Sequence, residues 1–256
     1  FEKPRFDFKV LFKIFTNGSS EFVSNISASV VSIVFNLELM KYLGQDGVSA
    51  YGVMMYTSFI FFAVFFGYCM GSAPVISFNF GAKNTDEIKN LLRKSIVIVG
   101  TSGAFLSLLA IAFARPLAMI FIGYNEELLD LTVHGSRIMA VGFIFSGFNF
   151  FGPSFFTALN NGLISALISF IRTMVFQIAS VIVMAELFGV DGIWWSMTVA
   201  EIMSFMVAAF FVFRYRKHYF FRICIFLLII CQTAIKLPKI NFRLKKEDIL
   251  LQKTFL

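Results

Sequence analysis

Residues 67–95 read GYCMGSAPVISFNFGAKNTDEIKNLLRKS. This stretch decides the fold, because it holds a broken membrane span, its exit, a basic turn and the start of the next helix. The preceding residues 57–70, TSFIFFAVFFGYCM, carry no charge. Pro74 then removes one backbone donor and crowds the carbonyl four residues earlier, so a helix break is expected there. In hydrocarbon the freed carbonyl needs a partner, which places Pro74 at a cavity or packed interface rather than on a lipid face. Gly81 is expected to end the helix as a left-handed cap. Asn84 with Glu87 forms a capping pair that opens the next helix. Lys83, Lys89, Arg93 and Lys94 surround the turn, and the positive-inside rule puts it in the cytoplasm.

Composition leads to the membrane class independently. The chain is 58% hydrophobic and 14% charged, with 36 Phe and a mean hydropathy of +0.81. Soluble chains are about a quarter charged, and 256 residues cannot bury this much apolar surface without lipid. The net charge of +7 does not indicate nucleic acid, because the basic residues sit at the ends of apolar runs rather than on one patch. Cys69, Cys224 and Cys231 have neither a disulfide framework nor metal-ligand spacing, so no metal site is expected. The chain opens on FEKPRFDFKV, without an initiator Met or signal peptide, and reads as an internal fragment.

Apolar runs predict an all-α integral membrane protein with six spans, at about 15–40, 50–80, 95–122, 137–159, 163–187 and 193–213. Residues 1–14 read as a cytoplasmic linker lying along the membrane, and 214–256 as a basic cytoplasmic tail. Within that tail the apolar run 223–235 is too short to cross. Lys41, Arg115 and Arg137 mark outer ends. The linker, the 81–95 junction and the residues after 213 hold most of the other cations, so both termini are expected in the cytoplasm. KYLGQDGV, residues 41–48, and FGVDG, residues 188–192, are outer turns. GYNEELLDLTVHG, residues 123–135, is read as an outer loop with a solvated His134. Trp194 and Trp195 open the last span as interfacial anchors.

Polar residues within the spans are the candidate site. Glu21, Asn25, Ser29, Ser32 and Asn36 fall at helical spacing on one stripe of the first span. Ser29 and Ser32 read as helix-packing glue, whereas Glu21 and Asn25 are candidates for a water-filled path, with a solvated Glu21 at the cytoplasmic end as the rival reading. Ser146 and Asn149 share a face with Pro153, a second helix break, and are candidates for a substrate cavity, because discontinuous helices near the midplane host substrate and ion in secondary transporters. Glu201 is the most deeply placed acid. It is expected to bear a proton or pair with a cation, against the alternative of a protonated Glu bonding between helices. Arg172 is read as marking a helical extension beyond the inner membrane surface.

The junction at 71–83, together with NGSSEF at 17–22, Asn36 and GVSAYGVMMY at 47–56, resembles the multidrug and toxic compound extrusion (MATE) family of transporters, and the match extends from about residue 17 to about 213. The resemblance implies one six-helix lobe of a two-lobe fold, here the C-terminal lobe, with an N-terminal lobe or a second half as partner. It implies antiport across the plasma membrane, driven by a proton or sodium gradient without a cofactor, and export of amphipathic, often cationic small molecules. Glu21 and Glu201 are then the ion-coupling candidates, and Asn25, Asn36, Ser146 and Asn149 the substrate-cavity candidates. Sodium-coupled members have an aspartate that aligns with Ser146 and a glutamate that aligns with Ala28; neither acid is present here, which weakens any transfer of that ion site.

No glycine-rich phosphate loop, HExxH or nucleophile elbow is present, so no catalytic residues are assigned and ATP-driven transport is not expected. Two other readings remain. A flippase for lipid-linked sugars or phospholipids has related architecture but needs a more cationic groove. A membrane-integral enzyme or scaffold needs a polar catalytic cluster at one membrane face.

Overall fold

A computed structural model describes residues 8–215. The described residues are helical apart from short turns. The continuous stretch Phe8–Gly81 has 74 residues, which as one straight helix would measure about 110 Å, several times a hydrocarbon core of about 30 Å. It is instead broken at Gly44, whose φ of 63° and ψ of −146° lie outside any helical region. That backbone conformation is open essentially only to glycine. The chain folds back there, since the Phe35 and Tyr51 rings stack with centroids 5.3 Å apart. Gly189, with φ 62° and ψ −134°, divides Gln177–Tyr215 in the same way.

Six helical segments result. They are α1 (8–43), α2 (45–81), α3 (Thr85–Ile122), α4 (Glu126–Ala158), α5 (162–188) and α6 (190–215). Within α5, Gly162–Phe170 is α-helical and Ile171–Phe176 is a π-helical turn. Four uninterrupted runs are long and apolar enough to cross a membrane, and the two longest, Glu21–Gly81 and Gly162–Arg214, contain the two glycine reversals. The all-α membrane class expected from the sequence therefore holds, with two of the four runs each divided by a glycine reversal.

Details of the turns differ from the sequence reading. The junction after α2 places its left-handed residue at Lys83, φ 56°, and not at Gly81. The Asn84 side chain does cap α3, accepting from the Glu87 N–H at 3.2 Å. The outer loop expected over 123–135 is mostly helix, because Asn125 accepts from the Leu128 N–H and starts α4 at Glu126. His134 is accordingly on a helix, and its Nε2 lies 2.9 Å from Asp191 Oδ1 next to the α5–α6 reversal. It is a partnered side chain, not a merely solvated one. The tail from 216 onward, with Cys224, Cys231 and the 223–235 run, lies outside the described residues, as do residues 1–7 of the linker.

Small residues let the helices approach closely. A Cβ on Gly103 of α3 would sit 3.0 Å from the carbonyl oxygens of both Phe143 and Ile144 of α4. One on Gly147 would sit 2.7 Å from Phe65 and from Val99. In lipid, where helix association depends on close packing, such positions set which helices neighbour each other. The core contains Phe35, Tyr51, Met54, Phe65, Phe143 and Trp194. Trp194 is 1% exposed and packs over Gly135 beside Met54, so it is a core residue and not an interfacial anchor; Trp195 remains exposed. Phe59, Phe78, Phe105, Leu108 and Ile120 are exposed apolar side chains, as expected of a protein solvated by lipid.

Candidate functional site

A cavity of about 320 Å³ opens among the helices, within the range of ordinary small-molecule sites. Its lining includes Glu21 and Asn25 of α1, Tyr51, Phe59, Phe62 and Phe66 of α2, Ser146, Asn149 and Phe150 of α4, Arg172 and Gln177 of α5, and Met197 and Glu201 of α6. The wall is mainly apolar, with aromatic and methionine side chains prominent in it, and a few polar groups converge on it.

The expected helix break at Pro153 is not seen, since α4 runs helical through it, but the proline explains how those polar groups are held. Proline cannot donate to the carbonyl four residues earlier, and in α4 that carbonyl belongs to Asn149. Arg172 takes it up, with Nη1 donating to Asn149 O at 3.4 Å. The other terminal nitrogen, Nη2, donates to Glu201 Oε1 at 3.0 Å. Asn149 Nδ2 completes the ring by donating to Glu201 Oε2 and, at 2.8 Å, to the Glu201 backbone carbonyl. The Arg172 guanidinium also lies over the Phe150 ring, 4.2 Å from its centroid. Three helices thus contribute one residue each to a closed polar ring at the cavity wall.

The ring is largely withdrawn from solvent. The Arg172 and Glu201 side chains are 11% and 10% exposed, and Asn149 is 1% exposed. This placement corrects the sequence reading of Arg172: it is not a marker of helix beyond the membrane but the buried partner of Glu201. A cation inside the apparent limits of a span reads as snorkelling unless its counter-charge is known, and that counter-charge is 29 residues away. The π-helical turn at Ile171–Phe176 has no sequence signature either, although π turns are frequent at functional sites. Two polar atoms of the ring, Asn149 Oδ1 and Arg172 Nε, have no hydrogen-bond partner among the described residues.

Other candidates are placed differently. Glu21 lines the same cavity and is exposed. Asn25 lines it too, but its Nδ2 donates back to the Glu21 carbonyl at 2.9 Å. Ser146 is buried in the wall, its hydroxyl donating to Gly142 O at 3.1 Å. Asn36 is half-buried and outside the cavity lining, as are Ser29 and Ser32, so only the first part of the predicted polar stripe reaches the cavity. Pro153 lines the cavity whereas Pro74 is exposed and does not, although Ser77 nearby donates to the Ala158 carbonyl at 3.1 Å and ties α2 to the end of α4. Gly142 brings α6 close at this level, since a Cβ there would lie 3.4 Å from Thr198 Oγ1 and 3.9 Å from Glu201 Cγ.

Residues 22–183 match the family described as MatE. The chain belongs to the MatE family. Among relatives, it is 25% identical over 214 residues to the multidrug export protein MepA of Staphylococcus saprophyticus, covering 81% of this chain and 45% of the relative. It is 21% identical over 208 residues to MepA of Staphylococcus aureus, with the same coverage. Its fold resembles a crystal structure of MATE in complex with MaL6, with a TM-score of 0.78 at 16% identity over 84% of this chain and 49% of that one. It also resembles a MOP superfamily transporter from Pyrococcus furiosus, with a TM-score of 0.79 at 16% identity over 84% and 48% of the two chains. The MatE chain thus spans about half the length of the curated relatives it matches. Family members are transporters rather than enzymes, and the chain is a multi-pass membrane protein. Asn149 and Arg172 fall within the matched residues, Glu21 immediately precedes them and Glu201 lies well after their end.

Proposed function

We propose that this chain is one six-helix half, the C-terminal one, of a cation-coupled antiporter that exports amphipathic, cationic small molecules across the plasma membrane. The observation that carries the proposal is the buried carboxylate of Glu201 in the wall of an aromatic cavity, held by Arg172 and Asn149. An intramembrane acid is costly and belongs to an ion or substrate pathway. Glu201 and Glu21, both on the lining, are the groups at which a proton or sodium ion competes with a positively charged substrate. The export function of the MepA relatives supports the same reading. The cationic groove that a lipid-linked-sugar flippase needs has little support, because among the described lining residues the one Lys or Arg is Arg172, offset by Glu201. The lysine and arginine bias of the turns supports cytoplasmic termini.

The test uses the protein with its N-terminal half restored. Glu201→Gln or Glu21→Gln is expected to impair gradient-driven efflux of a cationic dye while membrane insertion is unchanged. Export by both variants at the parent rate from pH 6 to 8 would make the two carboxylates structural. A flippase would leave dye accumulation unaltered in the parent protein as well.

A further inference from the structure

We propose that Arg172 is a tethered counter-cation: its guanidinium occupies the place on Glu201 and Phe150 that the positive group of a substrate takes, and a substrate binds by displacing it. The proposal rests on the export reading above and concerns selectivity within the same cavity.

An organic cation is recognised in an apolar pocket by a carboxylate and an aromatic face. The cavity offers both on one side, Glu201 and Phe150, and Arg172 already engages both, at 3.0 Å from Oε1 and 4.2 Å from the ring centroid. The protein's own cation therefore fills the recognition chemistry. Glu201 does not depend on Arg172 for its position, because Asn149 Nδ2 holds both its carboxylate and its backbone carbonyl. When a substrate cation binds, one positive charge replaces another, and the liganded carboxylate keeps a counter-charge.

Arg172 is held in a way that permits departure. Its Nε has no partner among the described residues, and its contact with the Asn149 carbonyl is long at 3.4 Å. It belongs to the π-helical turn Ile171–Phe176, whose apolar residues Ile171, Met174, Val175 and Phe176 are only partly buried or exposed. A π turn can revert to α geometry by shifting one residue of register, which re-aims the Arg172 side chain without breaking a packed core. Glu21 is the second carboxylate on the lining, available to a guanidinium that has left Glu201. The consequence is a selectivity filter built on competition: only ligands that bring a positive charge to Glu201 compensate the loss of Arg172, so neutral ligands of equal shape gain nothing by displacing it.

The experiment measures equilibrium binding of tetraphenylphosphonium, and of uncharged triphenylphosphine oxide, to the purified protein with its N-terminal half restored. If the pair is closed about nine-tenths of the time, the apparent Kd of the parent is raised about tenfold. Arg172→Gln is then expected to tighten tetraphenylphosphonium about tenfold and to leave unchanged the uncharged ligand, which binds beside the closed pair and does not require it to open. Arg172→Lys, which retains the charge but cannot hold Asn149 and Glu201 with one planar group, is expected to tighten it about threefold, and this variant decides the matter should Arg172→Gln fail to fold. In the Glu201→Gln background, removal of Arg172 is expected to change neither affinity. Unchanged or weaker tetraphenylphosphonium binding in the arginine variants overturns the proposal, as does equal tightening of both ligands. Dye export by the parent separately tests the reading on which the proposal rests: export without tightening sinks the counter-cation alone, and tightening without export sinks the export reading alone.

Discussion

The Arg172–Glu201 pair makes a quantitative prediction about stability. Both side chains are about nine-tenths withdrawn from solvent, so removing one partner leaves the other charge desolvated. Truncating one member of a buried pair costs about 3–5 kcal/mol, and for a domain of this size each kcal/mol moves the melting temperature by about 2–4 °C. Arg172→Met and Glu201→Gln alone are therefore expected to lower the melting temperature by roughly 6–20 °C. Arg172→Met also loses the contact with Phe150, worth about 0.5–2 kcal/mol, and the hydrogen bond to the Asn149 carbonyl, about 1 kcal/mol, so it should be the more damaging single change. The double variant contains no buried charge at this site, and Asn149 can still donate to the glutamine carbonyl. It should be more stable than the worse single variant and lie within about 2 kcal/mol of the parent. Thermal unfolding of all four proteins in one detergent, followed by intrinsic fluorescence, gives the coupling energy. Losses that add to within about 0.5 kcal/mol would mean that the two groups do not act as a pair, and the assignment of Glu201 to a paired site would fail.

Two further predictions concern packing and topology. Gly147→Val places a side chain against Phe65 and Val99, which a single Cβ would already approach to 2.7 Å; overpacking of this kind should cost about 1–3 kcal/mol, seen as a lowered melting temperature, and an unchanged value would refute the close approach of α2, α3 and α4. For the tail, a single cysteine at Lys253 in an otherwise cysteine-free protein should react with a membrane-impermeant thiol reagent only after permeabilisation, because crossing would carry Lys236, Lys239, Arg243, Lys245 and Lys246 outward. Labelling of intact cells would contradict the six-span topology.

The all-α bundle was legible because apolar runs, turn glycines and the distribution of lysine and arginine act locally and repeat six times. Pro153, Asn149 and Glu201 were legible for the same reason: a proline or carboxylate inside an apolar run is conspicuous without knowledge of its neighbours. What joined them was not. Pro153 matters because the carbonyl it frees is met by Arg172 from another helix, and no periodicity within one span reports on a partner in the next. Trp194 misled for a related reason. Its position at the start of α6 suggested an interface, but Gly135 on α4 leaves room for the ring in the core. The start of α4 was placed too late because Glu126, Glu127 and Asp130 read as a solvated loop, although acidic residues also suit the first turn of a helix.

The glycine reversals bear on how the protein enters the bilayer. A single residue, Gly44, separates α1 from α2, and Gly189 alone separates α5 from α6. A link this short spans only about 3.5 Å, a small fraction of the hydrocarbon thickness of about 30 Å. Each couple can therefore enter lipid as a hairpin, delivered in one event, with Glu201 alongside the helix that bears Arg172. The acid and its base are then born together, so the Glu201 charge does not have to cross the hydrophobic slab unaccompanied.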